Sequence, residues 1–451
     1  MAGAITEEPA GVHPWVGAAL NGGGDWRLRT WVPYLLGLMM LFDSWDGICI
    51  AFTLPSIANE WGLGPVQSGW LISAGYGGQF IGAVACGAWA ERQGRLPVLK
   101  PIVIVMCLLA IACGFAQNYG QLVAIRLIQG ITIGGALPVA ISYINEIAPA
   151  KTRGRFFGTF QFLMLSGYGL SSLSSAYVVP NFGWRAMFML GAAPLLLVPF
   201  LYGLPESPRW LAARGRLDEA LQALRKLGGH PVEADARTDT SIQQTMDKRP
   251  TPAVLITPQY RRRTTVTWLL WFLTSLVSFG LVTWVPSIYV SVFKIPIAQS
   301  LQYSAIASIF IFVIPLVLRQ TIDVVGRRLP AILGAAIGGA ALVSLAFVDH
   351  SLTKLIVTLT ITGQVGASIG SMVLWPYTAE VYETRVRALA LGSASSLARG
   401  ASMLTPLAVG GVLAMTGQIA PVFMIFGVSA VIAALLWVFA TKETAGRDLD
   451  A

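Results

Sequence analysis

The chain reads as an all-α membrane protein with twelve transmembrane helices in two pseudo-symmetric six-helix halves. Three observations predict this. Of its 451 residues, 55% are hydrophobic and only 12% are charged, with a mean hydropathy of +0.65, whereas a soluble domain carries about 25% charged residues. Twelve stretches approach or exceed the ~20 mostly apolar residues that a spanning helix needs. Motifs on the two sides of one long polar segment recur in the same order.

Residues 1–26 are polar and Gly-rich and show no cleavable signal, so the first span is expected to act as its own insertion signal. The spans of the first half, assigned to residues 28–204, are 31–58, 69–90, 98–116, 121–147, 156–180 and 185–204. The polar segment 205–263 follows. Its stretch from Asp218 to Leu227 has helical periodicity, and "HPVEADARTDTSIQQTMDKRPTPA" reads as linker. The spans of the second half, assigned to 264–441, are 264–290, 300–322, 330–348, 353–381, 388–415 and 420–441. Each contains Gly or Pro, which bilayer helices tolerate.

With the N-terminus in the cytoplasm, all but five of the 31 Lys and Arg fall on cytoplasmic segments; the five are Arg126, Arg185, Lys294, Lys354 and Arg399. That asymmetry places both termini in the cytoplasm. It also accounts for the net charge of +9 without a nucleic-acid partner. Cys49, Cys86, Cys107 and Cys113 lie within spans and read as packing residues. The three His residues lie outside the spans, and no metal-ligand cluster or nucleophile elbow is present, so neither a metal, a cofactor, a catalytic residue nor an enzyme is expected.

The internal repeat is specific. "GAWAERQGR" after the second span and "TIDVVGRR" after the eighth both follow acid-x-x-Gly-Arg, with Glu91, Gly94 and Arg95 in one copy and Asp323, Gly326 and Arg327 in the other. "YINEIAPAKTRG" and "YTAEVYETRVRA" both follow Tyr-x-x-Glu with an Arg seven residues after the Glu, namely Glu146 with Arg153 and Glu380 with Arg387. The chain resembles major facilitator superfamily transporters over nearly its full length. Gly87, Glu91, Arg92, Gly94 and Arg95 are similar to the superfamily's loop motif. "RLIQGITIGGALP" is similar to its fourth-helix motif, and "PESPRWL" and "KETAGRDL" to segments of sugar porters and organic-ion groups. Glu91, Leu96 and Arg319 depart from the usual residues. The resemblance implies that these repeated charges gather between the halves on the cytoplasmic side as a gate.

The chemistry is expected where charge persists in apolar helix. Asp43 and Asp46, in "LFDSWDGICI", share one face of the first span at i, i+3, where a charge costs ~2.5–3.5 kcal/mol on insertion scales. A water-lined cavity in which one acid takes up and releases a proton explains both; solvation near a helix end is the competing reading. Arg126 is the natural cation. The resemblance to sugar porters implies a proton-sensitive salt bridge between Asp46 and Arg126, with a static pair as the alternative. Arg399 can hold a carboxylate through two parallel hydrogen bonds, or else belongs to the gate. Tyr76, Gln79, Gln161, Tyr168, Trp284 and Trp375 are candidates to line the same cavity.

The seventh span has no Gln or Asn, unlike that of a sugar porter. "DSWD" and "GLVTWVPSIYV" resemble elements of the aromatic acid:proton symporters, and "YTAEVYETRVRALALG" with "ARGASMLTP" resembles the nicotinate permeases and synaptic-vesicle-protein relatives; Ser44 and Glu383 depart from those patterns. What this implies is a monomeric proton-coupled symporter of the bacterial inner membrane, surrounded by lipid and importing a small organic, aromatic carboxylate. A proton-coupled porter of sugars or other polar metabolites is the alternative, and uniport or exchange stays open.

Overall fold

A computed structural model describes residues 14–21, 27–149, 152–229 and 252–444, apart from a few side chains, Asp323 and Arg319 among them. The described chain is almost wholly helical. A short helix α1 (Pro14–Asn21) precedes the spans α2 (Arg27–Trp61), α3 (Pro65–Gln93), α4 (Arg95–Gly114), α5 (Tyr119–Ile147) and α6 (Arg153–Leu190). The polar segment contributes α8 (Pro208–Ala213) and α9 (Leu217–Leu227), and most of the expected linker sequence lies outside the described residues. The second set is α10 (Arg261–Ser291), α11 (Ile297–Val325), α12 (Arg328–Leu345), α13 (Thr353–Val381), α14 (Thr384–Thr416) and α15 (Ala420–Phe439).

Among the described residues, ten helices are long and apolar enough to cross a membrane. The two expected spans not among them are the sixth and the eighth. The fifth and sixth run on as one helix through residue 190, divided at Gly183, whose φ of 80° turns the chain without a loop. The sixth then continues as a 3-10 turn, Ala193–Leu197, into α7 (Val198–Tyr202). Pro194 and Pro199 cause this irregularity, because each removes an amide donor from the helical ladder. The eighth is α11, a continuous helix that is apolar over Ile297–Ile311 among the described residues.

The two sets pack alike. The first span packs on the fifth and the seventh on the eleventh; the third lies against the fourth and sixth, as the ninth lies against the tenth and twelfth. Between the sets the main contacts are α3 with α14 and α6 with α11, second span with eleventh and fifth with eighth, each the two-fold equivalent of the other. Small residues permit the tightest approaches: a Cβ on Gly82 or Gly134 would collide with the Ile131 or Gln79 carbonyl across the α3–α5 seam.

The halves are not joined equally at their two ends. Toward the end remote from the termini, one apolar cluster runs through both, including Ile57 and Leu71 from the first and Leu281, Val285 and Val409 from the second. Here the Ser73 hydroxyl of α3 donates to the Met403 carbonyl of α14 at 2.8 Å. Toward the terminal end the apolar clusters separate. Val32, Met106 and Tyr143 belong to one within the first half, and Trp271, Tyr377 and Trp437 to another within the second.

Candidate functional site

Helix α2 brings Asp43 and Asp46 into the interior. Asp46 is fully buried and Asp43 nearly so, at 5% exposure. Arg126 projects from α5 and is 2% exposed, with Gly75 of α3 leaving room for its guanidinium. The direct ion pair expected between Asp46 and Arg126 is replaced by an amide relay. Arg126 Nη1 donates to Gln129 Oε1 at 2.8 Å, and Gln129 Nε2 donates to Asp46 Oδ2 at 3.2 Å. Arg126 Nη1 also reaches the backbone carbonyl of Asp46 at 3.1 Å. The reason is helical geometry: Gln129 follows Arg126 by three residues, shares its face, and occupies the gap between guanidinium and carboxylate. The other Asp46 oxygen, Oδ1, is buried without a hydrogen-bond partner and lies against Gly191. The Phe188 ring lies 5.6 Å from the Arg126 guanidinium carbon.

Asp43 faces a different set. Arg399 of α14 and Tyr168 of α6 lie within electrostatic reach of it, so this acid looks across toward the second half. Asp43 Oδ1 has no hydrogen-bond partner. Beside this group is a cavity of about 200 Å³, walled by Ile48 and Phe52 of α2, Tyr168 of α6, Ser278 and Phe279 of α10, Ser308 of α11 and Met372 of α13. It lies between the halves and is mostly apolar. Its size is below the ~300–1,000 Å³ of sites for drug-sized ligands, which favours a small metabolite.

Of the other candidates, Tyr168 is in the cavity wall and Tyr76 meets Phe279 edge-on at 5.8 Å. Trp284 is 3% exposed within the apolar cluster that joins the halves. Trp375 is exposed and packs edge-on against Trp271 at 4.8 Å. Gln79 and Gln161 are half-buried, outside the cavity wall. Gln129, Gly191, Phe279 and the serines were not singled out from sequence. Only Gln129 carried a signal, its i, i+3 spacing from Arg126.

The repeated charges form two matching networks. In the first half Arg95 bonds Glu146 at 2.8 Å and Glu91 at 3.0 Å. In the second, Arg327 bonds Glu380 at 2.8 Å. Gly94 and Gly326, with φ of 107° and 87°, let the chain turn sharply into α4 and α12. Each turn is capped by a distant acid: Glu206 accepts from the Leu96 amide at 3.0 Å, and Glu443 from the Arg327 and Arg328 amides at 2.9 and 3.0 Å. Burial pushes the Glu206 carboxyl above its usual range, and its amide donors pull it back. Arg153 Nε and Arg387 Nη2 are buried without partners, although Arg387 Nε reaches the Tyr382 carbonyl at 3.3 Å. Arg92 is exposed, and no heavy atom lies within 4 Å of where a Gly87 side chain would begin. The Asp323 side chain lies outside the described residues. Among the described residues, none of these ion pairs crosses from one half to the other.

Known proteins give this geometry a context. The niacin transporter NiaP of Acinetobacter baylyi is 31% identical, over 92% of this chain and 94% of its own. The benzoate transport protein of the same organism is 27% identical over 86% and 84%, and a gallate transporter of Pseudomonas putida is 34% identical over 62% of each chain. Among solved structures, a D-xylose-proton symporter superposes with a TM-score of 0.75 at 20% identity, covering 93% of this chain and 99% of that one. The partially occluded, inward-open xylose transporter XylE from E. coli gives 0.73 at 22%, over 92% and 98%. The family model described as "Sugar (and other) transporter" matches residues 49–451. The chain therefore belongs to the sugar (and other) transporter family of the major facilitator superfamily, as a transporter and not an enzyme.

Proposed function

We propose that this transporter is a proton-coupled symporter that imports a small aromatic carboxylate by alternating access. The observation that carries the reading is the placement of Asp43 and Asp46. One acid lies in a buried relay with Gln129 and Arg126, and the other within electrostatic reach of Tyr168, which walls an apolar cavity, and of a second cation, Arg399. In this reading Asp46 takes the proton, Arg399 holds the carboxylate, and the apolar wall accepts the ring. The niacin, gallate and benzoate relatives support the substrate class. The halves meet at one end and separate at the end bearing the termini, which corresponds to a site open toward the cytoplasm when both termini are placed there. The repeated charge networks are then the unlocked gate, and the chain lies in a bacterial inner membrane as a monomer.

The alternative, a sugar or polar-metabolite porter, is disfavoured by the apolar cavity and by the absence of Gln and Asn from α10. Purified protein in liposomes, given an inside-alkaline pH gradient, should accumulate benzoate, nicotinate or gallate but not xylose. Accumulation of xylose in place of the acids overturns the substrate class. Equal accumulation of an acid with and without the gradient overturns proton coupling.

A further inference from the structure

We propose that Gln129 is the positioning residue that reports the protonation state of Asp46 to Arg126. This rests on the reading of Asp46 as the proton site and adds the connection through which that site acts. Gln129 is fully buried, and its amide is held at both ends by charged groups. With Asp46 ionised, only one orientation of the amide satisfies both neighbours. The NH2 group must face the carboxylate and the carbonyl must face the guanidinium, since an Arg side chain has no acceptor and an ionised acid has no donor.

Protonation reverses half of this arrangement. The new O–H needs an acceptor, because an unpaired buried donor is costly. Oδ1 lies against Gly191 and takes part in no hydrogen bond, whereas Oδ2 already has the Gln129 amide beside it. On Oδ2 the proton meets the Gln129 NH2, donor against donor, until the amide turns over. The turned amide accepts from Asp46 through Oε1 and presents its NH2 to Arg126. Arg126 then loses one of its two described acceptors and keeps only the Asp46 backbone carbonyl. The hold of α5 on α2 is thereby loosened by a proton that Arg126 never touches.

The surroundings contain little else that can respond. On α2 the neighbours of Asp46 are Asp43 and Cys49; on α4 they are Cys107 and Cys113; on α5 they are Arg126 and Gln129. Helix α6 brings Ser171, Met187 and Phe188 near this point, with Gly191 just past its end, and Tyr76 of α3 lies within electrostatic reach of Arg126. Cys113 Sγ approaches Gln129 Oε1 at 3.5 Å, a weak third contact that does not discriminate between the two amide orientations.

The test compares proton-driven accumulation with counterflow exchange in proteoliposomes for Gln129→Leu, Gln129→Glu and Asp46→Asn, using nicotinate and benzoate as probes. Gln129→Leu removes both hydrogen bonds at similar volume. Gln129→Glu keeps an acceptor for Arg126 but has no donor for an ionised Asp46. Both should lower the ratio of accumulation to exchange by about tenfold, the size expected when a hydrogen bond to a charged group is lost. Both should also move the pH midpoint of uptake, by about one unit. In an Asp46→Asn background Gln129→Leu should not alter the pH profile further. A wild-type ratio and midpoint in either Gln129 variant, with Asp46→Asn uncoupled, overturns the relay alone. Accumulation by Asp46→Asn overturns the proton-site reading itself. If Gln129→Leu does not purify as a monodisperse protein, Gln129→Glu decides the matter by the same two readouts.

Discussion

At the scale of the residue, a charge in hydrocarbon has to be justified by what surrounds it. Asp46→Asn should abolish accumulation against a gradient while substrate exchange persists, measured as uptake with and without an imposed pH difference. Asp43→Asn should be milder, because Asp43 lies within electrostatic reach of Arg399 and outside the relay. Arg399→Lys keeps the charge and loses the planar fork, so affinity for carboxylates should fall about tenfold or more in competition binding; unchanged affinity assigns Arg399 to the gate or to packing. The acid pair and both cations were legible in the sequence because charge is rare and costly in such helices. Gln129 was not, since an amide in a spanning helix carries no comparable penalty. Its importance comes from lying between Arg126 on its own helix and Asp46 on another.

The element scale is governed by how closely helices approach. Gly134→Val places a branched side chain against the Gln79 carbonyl and should destabilise the first half by about 1–3 kcal/mol, seen as a lower Tm of the purified protein in detergent. Gly158→Val, where an added Cβ meets nothing, should leave Tm nearly unchanged. Among the described residues, nine of the ten membrane-length helices keep within a few residues of the apolar runs, and the tenth, α6, runs on past its expected end. The boundary between fifth and sixth was harder to read. Asn181, Phe182 and Gly183 look like a loop, but one residue at positive φ makes the whole turn. Glu383, which departs from the related permeases, has a local partner: it accepts from the Tyr260 hydroxyl at 2.9 Å and ties the end of the polar segment to the second half.

At the scale of the whole molecule, the asymmetry between the two ends is a statement about state. A transporter that alternates must open the α3–α14 contact around Ser73 and Met403. The double variant S73C/M403C should therefore block transport when oxidised and recover it when reduced, read in the same vesicle assay. Transport that continues through the cross-link places the moving seam elsewhere. The two-fold plan was readable from the repeated motifs. Which end is joined was not, because it depends on contacts between helices far apart in sequence.

Helix α1 has a consequence for biogenesis. Its Trp15, Val16 and Leu20 pack with Trp210, Leu211, Ala220 and Leu224 of α8 and α9. Made ahead of all the described spans, α1 thus waits for α8 and α9 before its apolar face is covered. Beyond the border at 204 expected from the sequence, α9 also contributes Leu227 to the apolar core of the first half. A gene divided between codons 229 and 252 should yield two fragments that reassemble into a working transporter when coexpressed. Divided after codon 204, the first fragment keeps α1 without its partners and should be cleared by proteolysis, visible as its loss on an immunoblot chase.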